Sequence, residues 1–140
     1  MVEINGRYES GLRCRLTHGP SGTTIETDAP ADNFGKAERF SPTDLIAAAL
    51  VSCMTTTLAI KTRDRGWDFD GKMRMRVHKQ MSADAPRRIV ALPVEVWVDL
   101  DLDAAARAEC EAILAGCPVY KSIAPEIATP LTVHWAATGK

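Results

Sequence analysis

The first third of the chain alternates apolar and polar residues in a way that predicts an antiparallel hairpin. Residues 8–18 predict one strand, because every second side chain on one face is apolar, and residues 23–27 predict the strand that returns. The Gly-Pro-Ser-Gly stretch at 19–22 is typical of a turn. Residues 28–40 are rich in Pro, Asp, Asn and Gly, so we expect an exposed loop there.

A long apolar helix is predicted to follow this loop. Ser41 suits the N-cap, Pro42 the first helical position, and Asp44 the position of the acid in a capping box. From Leu45 the helix is predicted to run to about Arg65, and its first half is apolar nearly all the way round. A helix of that kind is buried on most sides, so we expect it at the centre of the domain.

The rest of the chain predicts a second antiparallel hairpin, two helices and a closing strand. Residues 72–77 and 92–100 alternate as strands, with a short turn-like link between them. A helix opens at Asp103 and breaks before Pro118, because the residue preceding a proline disfavours the helical conformation. A short helix then restarts, and residues 131–135 form the last strand. This order predicts a single α+β domain that spans all 140 residues.

Composition and charge exclude several classes of function. The chain is 46% hydrophobic and 25% charged, and its net charge of −1 gives no field that would attract nucleic acid or an anionic membrane. The N-terminus has neither a basic start nor a long apolar run, which predicts no signal peptide. The most apolar stretch, residues 45–60, is shorter than the ~20 residues that cross a bilayer. We therefore expect a cytoplasmic protein whose thiols are kept reduced.

Four cysteines and three histidines are the first candidates for chemistry. Cys14 lies on the apolar face of a predicted strand and Cys110 on the apolar stripe of a predicted helix, where free cysteine packs as a small hydrophobe. Neither C-x-x-C nor H-x-x-x-H occurs, and the histidines have no metal-ligand spacing. The sequence therefore predicts no metal site.

Cys53 and Cys117 occupy more informative positions. Cys53 lies inside the apolar helix, and position alone leaves open whether it is a core residue or a reactive thiol. Cys117 directly precedes Pro118 at the helix break, where the free amide groups of a new helix stabilise a thiolate. We therefore expect a lowered pKa at Cys117. Their separation along the chain does not say whether the two thiols meet.

Two cysteine motifs carry a resemblance that extends from about Tyr8 to Trp135. The first is Ser-Pro-Thr-Asp-Leu at 41–45 with Ala-Ala-Ala-Leu-Val-Ser-Cys-Met at 47–54, and the second is Gly-Cys-Pro-Val at 116–119. In this order and at this separation they resemble the OsmC/Ohr superfamily of osmotically inducible and organic hydroperoxide resistance proteins, in its OsmC-like branch. The resemblance implies antiparallel sheets around a central buried helix, in an intertwined homodimer.

The resemblance also implies a thiol peroxidase that reduces organic hydroperoxides to alcohols. Cys53 would be the peroxidatic cysteine, whose thiolate attacks the peroxide and becomes a sulfenic acid. Cys117 would be the resolving cysteine, which forms an intramolecular disulfide with Cys53. No tightly bound cofactor is implied. An external dithiol reductant of the lipoyl type, carried by a partner protein, would restore both thiols.

In proteins of this family an arginine held by a glutamate near the start of the helix activates the peroxidatic thiol. The resemblance implies Arg39, just before the helix, as the first candidate, with Arg13 and Arg15 from the first hairpin as rivals. Thr43 stands where relatives carry the glutamate, and Asp44 is the nearest substitute, although a capping box explains it more simply. This departure favours an alternative, a non-catalytic OsmC-like domain that binds an apolar ligand or senses redox state. A thiol enzyme acting on another electrophile is a further alternative.

Overall fold

The fold is described for residues 1–136 of a computed structural model, and the chain divides into two compact units. The first unit is Met1–Ile46 and the second begins at Ala47. Strands and α-helices alternate in irregular order, so the predicted α+β class is confirmed. The single domain over 140 residues stays a prediction, and its last four residues, 137–140, lie outside the described part.

The first unit is built on a three-stranded antiparallel sheet. Its strands are β1 (Ile4–Ser10), β2 (Arg13–His18) and β3 (Thr24–Asp28), in the order β1-β2-β3. The predicted loop that follows contains only a single 3-10 turn at Ala31–Asn33. The first unit also holds the first residues of α1 (Pro42–Lys61), which continues into the second unit.

The prediction of one strand over residues 8–18 is wrong. The chain reverses at Gly11 and Leu12, whose φ angles are 60° and 63°, and Tyr8 pairs with Cys14 across the resulting hairpin. Glycine adopts positive φ without steric cost, which makes this tight turn possible. The apolar alternation continues through the turn on both strands, so the pattern gave no sign of the reversal.

Among its described residues, the second unit holds two sheets and two further α-helices. These elements are β4 (Met73–Val77), β5 (Gln80–Met81), β6 (Ile89–Ala91), β7 (Val94–Val98), α2 (Ala104–Leu114), α3 (Pro118–Ser122) and β8 (Leu131–Trp135). One sheet has the order β4-β7-β8, and the other is a small pair, β5-β6. The predicted antiparallel pairing of residues 72–77 with 92–100 is confirmed between β4 and β7, but the link between them folds into β5 and β6. Strand β8 pairs with β7 in parallel, an arrangement that the alternation did not predict.

The core of the second unit lies between one face of β7 and the helices. Strand β7 buries every second side chain, as expected for a strand with one face against a core. Asp103 caps α2 by accepting a hydrogen bond from Ala106 N at 2.8 Å, as its predicted helix start requires. The fully buried large side chains of this core include Leu50, Met54, Leu58, Leu92, Val94, Val96, Val98, Cys110 and Leu114.

Helix α1 has the length and composition of a membrane-crossing helix. It spans 20 residues, so it is longer than the apolar stretch at 45–60 on which the expectation of no membrane span was based. Core helices of globular proteins meet the same test, and α1 buries Leu50, Met54 and Leu58 in the core of the second unit. The length and apolar composition of α1 are therefore weak evidence for a membrane span. The cytoplasmic location stays a prediction.

Candidate active site

Cys53 and Cys117 meet in the second unit. Cys53 lies near the middle of α1 and is half-buried, whereas Cys117 lies between α2 and α3 and is fully buried. Each thiol shifts the pKa of the other, so the two side chains lie close together. The fold thus answers the question that their separation along the chain left open.

The helix break that places Cys117 follows from the local sequence. Helix α2 ends at Leu114, and Gly116 N donates to Ile113 O at 3.1 Å. Cys117 is extended, with φ −67° and ψ 157°, as the residue before a proline prefers. It serves as the N-cap of α3, and its Sγ accepts a hydrogen bond from Tyr120 N at 3.4 Å. The predicted break and restart at this point are confirmed.

Three groups surround the sulfur of Cys53. Thr57 Oγ1 lies 3.7 Å from Cys53 Sγ, one helical turn further along α1. The backbone N–H of Val119 and the thiol of Cys117 also act on the acidity of this sulfur. Burial raises the pKa of the Cys53 thiol, but these hydrogen bonds outweigh it, so its pKa is lowered from the ordinary value. Cys53 is therefore the more acidic of the two thiols.

The expected lowering of the Cys117 pKa is wrong. Burial raises the pKa of Cys117, and the hydrogen bond from Tyr120 N–H does not compensate for it. The nearby Cys53 adds to the rise, because a thiolate there makes a second negative charge unfavourable. The sequence indicates that free amide groups lie at the start of α3, but it does not reveal how deeply Cys117 is buried in the core.

The other two cysteines are not part of this pair. Cys110 is fully buried in the core, and burial raises its pKa to about 11. Cys14 is half-buried on β2 in the first unit. Both positions fit the packing role predicted for them.

The arginines named by the resemblance belong to an ion-pair network in the first unit. Glu26 joins two of them, since its Oε1 lies 2.7 Å from Arg15 Nη2 and its Oε2 lies 3.4 Å from Arg39 Nε. Arg15 also pairs with Glu9 at 2.9 Å. The side chains of Arg39 and Arg15 are 48% and 46% exposed, whereas that of Arg13 is 30% exposed. Arg13 is thus the most enclosed of the three candidates.

Arg13 is held by a buried carboxylate. Its Nη2 lies 3.5 Å from Oδ2 of Asp28, which is fully buried, and it also pairs with Glu38. Glu38 N donates to the same Oδ2 at 3.0 Å. The Glu38 N–H, followed by the charge of Arg13, outweighs burial and lowers the pKa of Asp28 from its ordinary value of 3.8.

Asp28→Asn is expected to lower the midpoint of urea unfolding at neutral pH. Folding favours the ionised form of Asp28, so its contribution to stability is present above the unfolded-state pKa and is lost as pH falls through the folded-state pKa. The difference between wild type and variant should therefore be largest near neutrality and shrink as the pH falls from the ordinary value of 3.8 through the lower folded-state pKa. Equal midpoints at neutral pH would contradict the stabilising role of this carboxylate.

The helix start forms the predicted capping box. Asp44 Oδ2 accepts a hydrogen bond from Ser41 N at 2.8 Å, and Ser41 Oγ accepts one from Asp44 N at 3.1 Å. Ser41 Oγ also lies 3.1 Å from Thr43 Oγ1. The Asp44 carboxylate thus serves the start of its own helix, in agreement with the simpler of the two explanations for this residue.

Comparison with known proteins identifies the family of the chain. The family described as OsmC-like protein matches residues 35–132, which include both cysteines of the pair. The chain belongs to this family. The OsmC-like chain is also 40% identical to a Psychrobacter arcticus protein assigned by inference as an osmotic stress induced and detoxification response protein. That comparison covers 96% of each chain, with a TM-score of 0.89.

More distant OsmC-like structures share the fold. The organic hydroperoxide resistance protein OsmC of Legionella pneumophila is 14% identical, covers 96% of each chain and has a TM-score of 0.72. The organic hydroperoxide resistance protein OhrB of Bacillus subtilis is 16% identical, with a TM-score of 0.67 over 95% of this chain and 97% of its own. No curated protein matches the chain.

Sequence reasoning missed Thr57, Val119 and Tyr120 as neighbours of the two thiols. The position of Thr57 was predictable from the sequence, because a residue four positions after Cys53 on a helix lies on the same face. Val119 and Tyr120 contribute backbone N–H groups, which no side-chain pattern reveals. Among residues 1–136, no group of three or more His, Cys, Asp or Glu side chains could hold a metal ion.

Proposed function

We propose that this OsmC-like protein is a thiol-dependent peroxidase that reduces organic hydroperoxides to alcohols. The observation that supports it most is the pair of neighbouring thiols in unequal surroundings, with Cys53 half-buried beside Thr57 Oγ1 and Cys117 fully buried at the start of α3. These surroundings lower the pKa of Cys53 and raise that of Cys117. Cys53 has the lowered pKa and partial exposure that a nucleophile needs, whereas Cys117 is protonated and buried beside it. A pair of equal, exposed thiols would not assign these two roles.

The proposed reaction consumes one peroxide and two thiols. The Cys53 thiolate attacks the distal peroxide oxygen, the O–O bond breaks, and the alkoxide takes a proton and leaves as the alcohol. Cys53 is then a sulfenic acid, which the Cys117 thiol attacks to form a disulfide and release water. A dithiol reductant regenerates both thiols by exchange and is itself oxidised to a disulfide. The two electrons lost by the thiols are the two gained by the peroxide.

The surroundings of Cys53 support an organic rather than an inorganic peroxide. Cys53, Val119 and Tyr120 are partly buried and pack against the apolar core of the second unit. An alkyl or acyl group gains free energy by leaving water for such a surface, whereas hydrogen peroxide has no apolar part to bury.

Stopped-flow oxidation of the reduced protein tests the proposal directly. Stoichiometric cumene hydroperoxide should consume two thiols per chain within seconds, and mass spectrometry should locate a Cys53–Cys117 disulfide. Hydrogen peroxide, the matched control, should react more slowly. Slow loss with both peroxides would reject the peroxidase and favour the apolar-ligand-binding or redox-sensing alternative, in which Thr43 marks the loss of the chemistry.

The role of an arginine is part of this proposal and needs its own test. Arg39→Met is expected to slow Cys53 oxidation severely if Arg39 supports the thiolate, because a cation offsets the cost of burying a negative charge. Arg13→Met and Arg15→Met provide the comparison. An unchanged rate in the Arg39 variant would shift the assignment to whichever of the other two variants is slow.

A homodimer is also part of the proposal. Strand β1 is exposed along its whole length, and large apolar side chains of the first sheet remain open, with Tyr8 64% and Ile25 46% exposed. Exposed apolar surface of this kind favours association with another chain. Light scattering coupled to size-exclusion chromatography should give twice the chain mass, and a monomer would reject the dimer.

A further inference from the structure

Three hydroxyl side chains near Cys53 on α1, those of Ser52, Thr55 and Thr57, differ in their hydrogen bonds. Ser52 and Thr55 donate to the carbonyl four residues earlier, at 2.8 and 3.1 Å, and Thr62, directly after α1, does the same at 2.8 Å. This back-bonding is the usual arrangement of Ser and Thr inside a helix. Thr57 differs, because its hydroxyl meets the sulfur of Cys53 at 3.7 Å.

The direction of this hydrogen bond depends on the charge of Cys53. A thiolate carries no proton and can only accept, so Thr57 must donate its O–H to it. Hydrogen bonds to a charged group are stronger than those between neutral groups. Thr57 is half-buried, which limits competition from water for the same acceptor. The contact therefore favours the ionised form of Cys53.

Thr57 also distinguishes Cys53 from Cys117. The N–H of Val119 lowers the pKa of both thiols, so it does not select between them. Thr57 Oγ1 lies 3.7 Å from the sulfur of Cys53 and lowers its pKa, whereas it has no such effect on Cys117. This hydroxyl thus adds to the difference in acidity that the deeper burial of Cys117 creates.

We propose that Thr57 is a positioning residue that favours Cys53 as the nucleophile by donating a hydrogen bond from its hydroxyl to the Cys53 sulfur. This hydrogen bond stabilises the thiolate of Cys53 and adds to the difference that the deeper burial of Cys117 makes between the two thiols. The same bond holds Sγ on the face of α1 that Thr57 and Cys53 share. The selection matters for catalysis only if the proposed peroxidase function holds, but the acidity of Cys53 is measurable without it.

The test compares three variants by site-specific alkylation. Iodoacetamide labelling of Cys53 is followed by mass spectrometry from pH 5 to pH 10 in wild type, Thr57→Val, Thr57→Ser and Thr56→Val. Thr57→Val should raise the Cys53 pKa and slow labelling at pH 7 by about three- to tenfold, since one pKa unit is a tenfold change in thiolate. Thr57→Ser keeps the hydroxyl and should restore the wild-type profile.

Thr56→Val is the matched control, because it makes the same change one residue earlier, at an exposed position of α1. It should leave the Cys53 profile unchanged. A Thr57→Val profile identical to wild type, or a Thr57→Ser profile identical to Thr57→Val, would overturn the proposal. Circular dichroism of each variant verifies the fold, and Thr57→Ala serves if the valine variant does not fold.

The oxidation rate with cumene hydroperoxide separates this inference from the proposed function. If wild type does not react with the peroxide but Thr57→Val still shifts the alkylation profile, the peroxidase proposal fails and the role of Thr57 stands. If wild type reacts rapidly and the profile does not shift, the role of Thr57 fails and the peroxidase stands. If both hold, Thr57→Val should slow oxidation at pH 7 by the same factor as alkylation.

Discussion

Cys53→Ser is expected to abolish the reduction of organic hydroperoxides. A serine hydroxyl is not ionised near neutral pH, so the variant has no thiolate to attack the peroxide oxygen. Loss of a nucleophile lowers enzyme rates by at least about a thousandfold, and we expect an effect of that size here. The measurement is stopped-flow consumption of cumene hydroperoxide by the reduced protein in the presence of dithiothreitol.

Cys14→Ser and Cys110→Ser are the controls for this prediction. Cys14 lies on a strand of the first unit, and the raised pKa of about 11 at Cys110 leaves almost no thiolate at neutral pH. Both variants should oxidise at the wild-type rate. Rapid peroxide consumption by Cys53→Ser would show that another cysteine is the nucleophile, and the proposed roles would then be wrong.

The sequence predicted best those features that depend on neighbouring residues. The capping box of Ser41 and Asp44 and the helix break at Pro118 both formed where local preference placed them. These features depend on the φ and ψ angles and hydrogen bonds of a few adjacent residues, so the sequence contains all the information that they need. The α+β class follows from the order of such elements along the chain.

Features that depend on distant contacts were predicted poorly. The hairpin turn at Gly11 and Leu12 interrupts a pattern that alternates on both sides of it, so only the pairing of Tyr8 with Cys14 reveals the turn. Strand β8 lies parallel to β7 because the chain crosses over through α2 and α3 before it returns. Alternation describes the faces of a strand but not its neighbour or its direction.

The acidity of the two thiols shows the same limit at the candidate site. Local reasoning favoured Cys117 as the acidic thiol, because it precedes the free amide groups of a helix. The structure reverses this order, since Cys117 is fully buried while Cys53 receives hydrogen bonds from Thr57 and from Val119, which lies far along the chain from it. Burial and long-range hydrogen bonds dominate a pKa, and neither is readable from one short motif.

Cys117→Ser is expected to stop the reaction at the sulfenic acid of Cys53. The first oxidation should stay fast, because the serine hydroxyl can still donate a hydrogen bond to the Cys53 thiolate. One thiol per chain should then be lost instead of two, and dimedone should trap the sulfenic acid on Cys53. Excess peroxide should carry this exposed sulfenic acid on to the sulfinic acid, which inactivates the protein within a few turnovers.

Cys117→Ala refines this result, because it removes the hydrogen-bond donor as well as the resolving thiol. If the Cys117 thiol contributes to the acidity of Cys53, the alanine variant should show a higher Cys53 pKa than the serine variant and a slower first oxidation at neutral pH. Both variants should resist disulfide formation equally. Loss of two thiols per chain in either variant would show that a cysteine other than Cys117 resolves the sulfenic acid. In both variants, the rate of the first oxidation reports the activation of Cys53. The number of thiols lost per chain reports whether a second cysteine forms a disulfide with it.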